Sequence, residues 1–285
     1  MSKVAVVTDS TAYIPSELSK GYPIHFVPLQ VVWGGETFRD GIDIQPTDFY
    51  NRLKTAKVMP TTSQPSPAAF SDLYRNLLED GYQIISIHIS SKLSGTLDSA
   101  TQARDNFPGE RIELIDSESA SMALGFQALT VARAAAQGAT LQECRALAEK
   151  ARQHMGLMFA VNTLEYLRRG GRIGGAAAFL GTALNLKPLL ELRNGRIEAM
   201  DKVRTMNKAI DRLLDLFVER VEKHRTIRIA ALHANAPDAA QLLLERARER
   251  FQNGRVQEVV LTEVSAVVGA HTGPGVMGLA FSSES

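Results

Sequence analysis

Residues 84–96, Ile-Ile-Ser-Ile-His-Ile-Ser-Ser-Lys-Leu-Ser-Gly-Thr, carry the clearest information about the fold of this chain. The run at 84–89 is short, apolar and rich in β-branched residues, which predicts a strand buried on both faces. A hydroxyl-rich segment, residues 90–96, follows it directly and leads into a helix-like stretch. A buried strand that ends in such a turn is typical of a parallel sheet covered by helices.

Strand-like and helix-like stretches alternate in the same way through the rest of the first half. Apolar runs predict strands over residues 4–7, 24–32, 83–89 and 111–115. Helical spacing and helix-start residues predict helices over residues 15–20, 49–53, 68–80, 96–106, 122–136 and 141–154. This βαβα order predicts a first lobe, residues 1–157, in which helices cover both faces of a parallel sheet.

The second half has a different pattern, which predicts an α+β lobe with some antiparallel pairing over residues 158–285. Asn194-Gly195 separates two apolar stretches and favours a hairpin with a two-residue turn. Further strands are expected at residues 158–161, 227–233, 256–263 and 276–281, and helices at residues 164–168, 206–222 and 237–251.

The composition is that of an ordinary globular protein, with 45% hydrophobic and 22% charged residues in a chain of 285. This length fits one large domain or two lobes. The net charge of +1 supplies no broad field for binding nucleic acid or an anionic membrane. The single cysteine, Cys144, cannot form an internal disulfide, which fits a reducing compartment, and its helical surroundings favour a packing role.

Targeting signals are also lacking in the sequence. The apolar run at residues 4–7 is too short for a signal peptide, and no cleavage site follows it. No apolar stretch approaches the ~18 residues of a membrane-spanning helix. We therefore expect a cytoplasmic protein without stable membrane insertion.

Three polar segments, far apart in the chain, are candidates for contact with one small anion. They are residues 61–66, 90–96 and 271–275, and they are rich in hydroxyls, glycine or imidazole. Backbone N–H groups at a strand-to-helix turn, together with the helix dipole, favour negative charge. The sequence therefore predicts that these segments close on one anionic ligand.

Two of these segments also have a purely structural interpretation, which the sequence leaves open. Ser94 can cap the helix that starts near residue 96, whereas Gly95 would let a ligand approach the backbone closely. The pair Ser66-Pro67 fits the N-cap and N1 positions of a helix, with a loop before it. That pair explains Ser66 but leaves the hydroxyls at residues 61–63 without a role.

Four other features have alternative roles. His271 lies in a predicted glycine-rich loop and is a candidate for anion contact, for a general base or for a pH-sensitive ligand. Asp9 follows the first strand, where it can be catalytic or, as we favour, cap the next helix. The arginines of residues 168–172 can lie in a solvated surface turn, contact a partner protein or contact an anion. Arg204 has the same three alternatives.

Several signatures of catalysis are missing. The sequence contains no Gly-x-x-x-x-Gly-Lys-Ser/Thr phosphate loop, no Gly-x-Gly-x-x-Gly after the first strand and no metal-ligand spacing of histidines. A triad of Ser94, His271 and Asp9 is conceivable, but Ser94 lacks a Gly-x-Ser-x-Gly elbow. We therefore predict neither a metal nor a cofactor.

At these residues the chain resembles the DegV family of bacterial lipid-binding proteins. Five segments match the motifs of that family in order and span nearly the whole chain, from residue 7 to residue 275, and the resemblance implies one DegV-like unit over residues 3–282. They are Val-Thr-Asp-Ser-Thr at 7–11, Thr-Ser-Gln-Pro-Ser at 62–66, Ser-Ser-Lys-Leu-Ser-Gly-Thr at 90–96, Leu-Arg-Arg-Gly-Gly-Arg-Ile at 167–173 and His-Thr-Gly-Pro-Gly at 271–275.

The resemblance implies a two-lobed fold, with a three-layer α/β/α lobe around a parallel sheet and a two-layer α+β lobe around a mixed sheet. It also implies a long-chain fatty acid, such as palmitate, bound between the lobes. Its carboxylate would be held by Thr62 and Ser94, with Ser63, Gly95 and His271 nearby. The extra hydroxyl of Thr61 leaves open which threonine makes the main contact, and the sequence leaves the preferred chain length open.

The resemblance further implies a carrier rather than an enzyme. Some family members present the acyl carboxylate to a separate acyl kinase, and the matching positions here are Arg172, Arg204 and His271. The small apolar stretch at residues 176–181 is a candidate lining of an acyl tunnel or a close-packed helix. Two alternatives remain: a hydrolase or transferase acting on an acyl or phospho substrate with His271 as general base, and an interaction module that uses residues 168–172.

Overall fold

The structure, a computed structural model, describes residues 3–181, 186–251 and 254–284. Its strands are β1 (Lys3–Asp9), β2 (Ile24–Val27), β3 (Gln30–Trp33), β4 (Glu36–Arg39), β5 (Thr61–Ser63), β6 (Tyr82–His88), β7 (Ile112–Asp116), β8 (Met155–Ala160), β9 (Lys187–Arg193), β10 (Arg196–Val203), β11 (Thr226–His233), β12 (Val256–Glu263) and β13 (Met277–Glu284). Its α-helices are α1 (Ser16–Ser19), α2 (Pro46–Leu53), α3 (Pro67–Glu79), α4 (Thr96–Arg104), α5 (Ser121–Ala136), α6 (Leu141–Gln153), α7 (Glu165–Arg169), α8 (Met206–Val221), α9 (Pro237–Glu249) and α10 (Ala266–Thr272).

Four strands of the first half form a parallel sheet in the order β2-β1-β6-β7. The apolar runs that predict β1 and β6 are buried on both faces, as at Val6 and Val7 and at Ile84 and Ile85. Helices α3 and α4 pack on one face, and α5 and α6 on the other. The predicted parallel sheet with two helical layers is therefore confirmed.

Helix α5 lies between this sheet and a second one. Every residue from Ser121 to Leu129 is buried, and the helix contacts β1 on one side and β8 and β13 on the other. A helix that is apolar around its whole circumference belongs in such a position, because none of its faces can be left to water. The two sheets are thus joined through one shared helical layer.

The second sheet is mixed and has six strands in the order β10-β9-β8-β13-β11-β12. Its strands pair antiparallel except for β11 and β12. The predicted hairpin is present: Asn194 and Gly195 have φ angles of 51° and 77° between β9 and β10. Positive φ at both central residues is the requirement of a type I′ turn, which Asn-Gly meets at little cost. This sheet confirms the predicted mixed lobe.

Two details of the first half differ from the prediction. Residues 24–32 form two strands, because Pro28 cannot donate a ladder hydrogen bond and the chain leaves the parallel sheet there. The predicted loop before Pro67 contains β5, which pairs with β3 in a small antiparallel sheet of order β4-β3-β5. Ser66 and Pro67 occupy the predicted N-cap and N1 positions of α3.

One apolar cluster contains residues of both halves, including Leu29, Phe126, Phe159 and Leu232. The lobe boundary at residue 157 stays a prediction. Within residues 3–181, 186–251 and 254–284, no helix is both long enough and apolar enough to cross a membrane.

Candidate functional site

A cavity of about 250 Å³, which we name the polar cavity, brings the three predicted polar segments together. Residues 62–64, Ser94 and the pair His271 and Thr272 all line it. The remaining lining is apolar apart from Arg172, and comprises Leu29, Ile89, Leu93, Ala120, Leu167, Ile197, Val267 and Val268. Residues separated by more than 200 positions in the chain therefore face one space.

Strand β5 directs Thr62 into the polar cavity. Thr62 lies opposite Val31 of β3, and the alternation of the strand leaves Thr61 and Ser63 more exposed. The Oγ1 of Thr62 is 2.7 Å from Nε2 of His271. Thr61 lines a neighbouring space instead, an outer cavity of about 230 Å³ that shares Thr62, Arg172 and His271 with the polar cavity.

Ser94 and Gly95 occupy the turn between β6 and α4. Gly95 is the N-cap residue, and Ser94 Oγ accepts a hydrogen bond from Thr96 N at 3.3 Å and lies 2.8 Å from Thr96 Oγ1. Gly95 does not line the cavity. A Cβ atom there would collide with the Gln64 side chain, so the glycine makes room for Gln64, which does line it.

His271 lies in the last turn of α10, not in a loop as the glycine-rich sequence predicts. Ser265 caps this helix, and its side chain accepts a hydrogen bond from Val268 N. Burial, reinforced by the positive charge of Arg172, lowers the pKa of His271 to about 4. The imidazole is therefore neutral at physiological pH, and its Nδ1 is buried without a hydrogen-bond partner among the described residues.

Among the described residues, Arg172 is the one side chain of fixed charge in the lining of the polar cavity. Its Nε donates to Leu93 O at 2.9 Å and its Nη1 donates to Gly170 O at 2.6 Å. These bonds hold the guanidinium on the wall shared by the polar and outer cavities. The arginine-rich turn was predicted as a surface, partner or anion contact, and the observed position fits an anion contact.

Arg204 is not brought together with these residues. It is exposed between β10 and α8 and lines none of the cavities described above. The candidate tunnel residues 176–181 also lie elsewhere: Ala176 is buried in the core, Phe179 is half-buried and the other four are exposed. None of the six lines the polar cavity.

The polar cavity adjoins a smaller space of about 60 Å³, the apolar cavity. The two share Leu93, Ala120, Ile197, Val268 and Thr272 as walls. Beyond these, the lining of the apolar cavity is Ser121, Leu157, Phe159, Leu192, Leu232, Val264 and Val276. Among the residues that the structure describes, one charged side chain thus lines the polar cavity, beside a second cavity whose lining is almost wholly apolar.

Asp9 does not join Ser94 and His271 in a triad. It is fully buried, accepts hydrogen bonds from Thr11 N and Ile89 N, and lies 3.1 Å from Nδ1 of His88. It caps the short 3-10 helix Ser10–Ala12, as the favoured alternative predicts. Cys144 is buried in α6. Over the part of the chain that the structure describes, no group of three His, Cys, Asp or Glu residues could hold a metal ion.

Sequence comparisons match residues 3–284 to the family model described as uncharacterised protein, DegV family. A DegV domain-containing protein of Streptomyces coelicolor is 43% identical over 282 residues, which cover 99% of each chain. Protein DegV of Bacillus subtilis is 37% identical over 278 residues, covering 97% of this chain and 98% of the relative.

Solved structures of DegV family proteins are also similar to this chain. A DegV family protein of Thermus thermophilus, described as fatty acid binding, superposes with a TM-score of 0.93 at 39% identity and covers 99% of both chains. DegV of Bacillus subtilis, described as a fatty acid binding protein, superposes with a TM-score of 0.89 at 36% identity and covers 100% of both chains.

Proposed function

The chain belongs to the DegV family, and we propose that it binds a long-chain fatty acid between its two lobes and acts as a carrier of that acid. The carboxylate occupies the polar cavity, and the acyl chain extends into the apolar cavity. The observation that supports this most strongly is that the two cavities adjoin and share five wall residues, with Arg172 in the wall of the polar cavity and almost only apolar side chains around the other. A cytoplasmic location is part of the same proposal.

The polar cavity supplies what a buried carboxylate needs. A carboxylate without partners would cost several kcal/mol or more to bury. In our proposal the hydroxyls of Thr62 and Ser94 donate to it, with Ser63 and His271 nearby, and Arg172 balances its charge. Gly95 contributes indirectly, by accommodating Gln64.

The two cavities, of about 250 and about 60 Å³, provide part of the volume that a long acyl chain needs. A cavity of about 150 Å³ holds one benzene, so about 25 Å³ serves each non-hydrogen atom and the two cavities hold roughly a dozen such atoms. A carboxylate and about ten carbons fit without movement of the walls, and a longer acid requires the walls to open. Burial of each CH₂ contributes about 0.8 kcal/mol before the costs of ordering the chain.

A carrier accounts for the geometry better than the alternative hydrolase or transferase. A general base works best with a pKa near the operating pH, whereas that of His271 is lowered to about 4. Ser94 Oγ is bonded to Thr96 rather than to an imidazole. Turnover separates the two functions, since a carrier releases its acid chemically unchanged.

Presentation of the carboxylate to a separate acyl kinase is a further part of the proposal. Arg172 and His271 line the outer cavity as well as the polar one, so a partner could reach the carboxylate from that side. Arg204 is exposed and available for contact with such a partner. If it serves a kinase, Arg204→Ala slows phosphorylation of the bound acid, and an unchanged rate would remove Arg204 from this role.

Replacing Ser94 with alanine tests the carboxylate site. We expect affinity for a fatty acid to fall about tenfold, because a hydrogen bond to a charged group is worth about 1.5–3 kcal/mol. The protein should stay folded with a modestly lower melting temperature, because the bond that Thr96 N donates to Ser94 Oγ is lost while Gly95 remains the N-cap residue of α4. Isothermal titration measures the affinity, and Arg204→Ala is the matched control with unchanged affinity. Equal affinities of wild type and Ser94→Ala would contradict the site.

A further inference from the structure

The N-terminus of helix α5 lies beside both cavities. Ala120, its N-cap residue, lines the polar and the apolar cavity, and Ser121, its first residue, lines the apolar cavity. Both residues are buried. The helix is 16 residues long, so its dipole places partial positive charge at this end.

This N-terminus lacks the usual side-chain cap. The first N–H groups of an α-helix have no partner within the helix and commonly donate to the side chain of the N-cap residue. Alanine at position 120 cannot accept such a bond, and within the described part of the chain no side-chain cap is present at this end of α5. An oxygen atom that accepts hydrogen bonds is therefore favoured here.

The side chain of Ser121 is a second, independent polar group at the same place. The residue is 4% exposed, and its hydroxyl forms no hydrogen bond to any residue that the structure describes. The hydroxyl of Thr8 is also buried without a described partner, but Thr8 lines neither cavity, whereas Ser121 lines the apolar one. Thr272, which shares that wall, already donates its proton to Val268 O at 3.1 Å.

The backbone of Ser121 adds a further indication. Its φ angle is 52°, in the left-handed region that glycine adopts readily and most other residues avoid. Serine at this position therefore carries a backbone cost that glycine would not. Strain of this kind is commonly found where a side chain contacts a ligand.

We propose that Ser121 and the N-terminus of α5 bind an oxygen atom carried along the acyl chain, so that the site accepts oxo fatty acids. This inference rests on the proposed function, in which the acyl chain occupies the apolar cavity that Ser121 lines. The group fits because the serine hydroxyl and the helix N–H groups can all donate, and a ketone oxygen only accepts. Without such donors, burial of a ketone would weaken binding about tenfold or more.

The measurement is titration of the full-length protein with palmitate and with a set of oxopalmitates that differ in the carbon bearing the oxygen. We expect at least one of these isomers to bind about as tightly as palmitate. Ser121→Ala should weaken binding of that isomer about tenfold, because its oxygen loses a buried hydrogen bond. The same substitution should leave the affinity for palmitate unchanged.

Ser119→Ala is the matched control. Ser119 belongs to the same loop and is also 4% exposed, but it lines neither cavity, so both affinities should stay at wild-type values. Ser121→Gly removes the same hydroxyl and suits the positive φ angle, so it replaces Ser121→Ala should that variant not fold.

A loss confined to the oxo acid and to the Ser121 variants would support the inference. It is overturned if every oxopalmitate binds the wild-type protein at least about tenfold more weakly than palmitate. It is also overturned if the Ser121 variants lose no more affinity for the oxo acids than for palmitate. Both results leave the proposed function intact, whereas a wild-type protein that binds neither palmitate nor any oxopalmitate would contradict the proposed function itself.

Discussion

Replacing Arg172 with alanine is expected to lower affinity for a fatty acid about 10- to 100-fold. A hydrogen bond to a charged group is worth about 1.5–3 kcal/mol, and Arg172 places a fixed positive charge in the wall of the polar cavity. The substitution also removes the bonds that hold Leu93 O and Gly170 O. Titration with palmitate measures the loss.

Two controls separate charge from structure. Arg168 lies in the same turn, is exposed and pairs with Glu165, so Arg168→Ala should retain wild-type affinity. A fatty alcohol with the same chain carries no charge, so its affinity should depend much less on Arg172. An equal loss for acid and alcohol would show that Arg172 supports the cavity wall rather than the carboxylate.

The same variant should change the titration of His271. Burial is the main cause of the lowered pKa of His271, and the charge of Arg172 is the second. Removing that charge should therefore raise this pKa part of the way from about 4 toward its ordinary value of 6.5. Nuclear magnetic resonance of the imidazole protons follows the change directly.

Replacing Asp9 with alanine is expected to cost about 3–5 kcal/mol of unfolding free energy. Its carboxylate accepts from Thr11 N and Ile89 N and contacts His88, all without access to water. His88 in turn contacts Ser86, whose hydroxyl is 2.7 Å from that of Tyr74. Loss of the carboxylate leaves this buried network incomplete.

Urea denaturation, followed by the fluorescence of the single tryptophan, measures the effect of Asp9→Ala. Asp72→Ala is the control, since Asp72 forms only an exposed ion pair with Arg75 and should cost at most about 1 kcal/mol. A variant Asp9→Ala as stable as Asp72→Ala would show that the buried network does not contribute to stability as argued.

The sequence predicts the strands that are continuous apolar runs, such as β1 and β6. It does not predict a strand that depends on hydrogen bonding to a partner strand far away in the sequence. The strand β5 has only three residues, none of them apolar, and it exists because β3 offers it a partner. The sequence does not predict helix α10, because glycine at position 269 is typical of a loop. A Cβ atom there would collide with Tyr50 of α2, a helix that is distant in sequence but packs against α10.

The candidate site likewise contains residues that the sequence predicts and residues that it does not. The sequence predicts that the hydroxyl segments and His271 lie together, because hydroxyls and free N–H groups at strand-to-helix turns can bind an anion. The position of Arg172 in the cavity depends on the carbonyl of Leu93, 79 residues away, which no local pattern reveals. The apolar cavity was inaccessible to prediction, because its walls come from many elements and each wall residue resembles an ordinary core residue.

Quantitative lipid analysis of the purified protein tests the central claim most directly. The protein is denatured, extracted and analysed by mass spectrometry, and the fatty acid is expressed per mole of chain. We predict a near-stoichiometric long-chain fatty acid, chemically unmodified. A protein that yields no fatty acid, and that also takes up none when palmitate is added, would contradict the account.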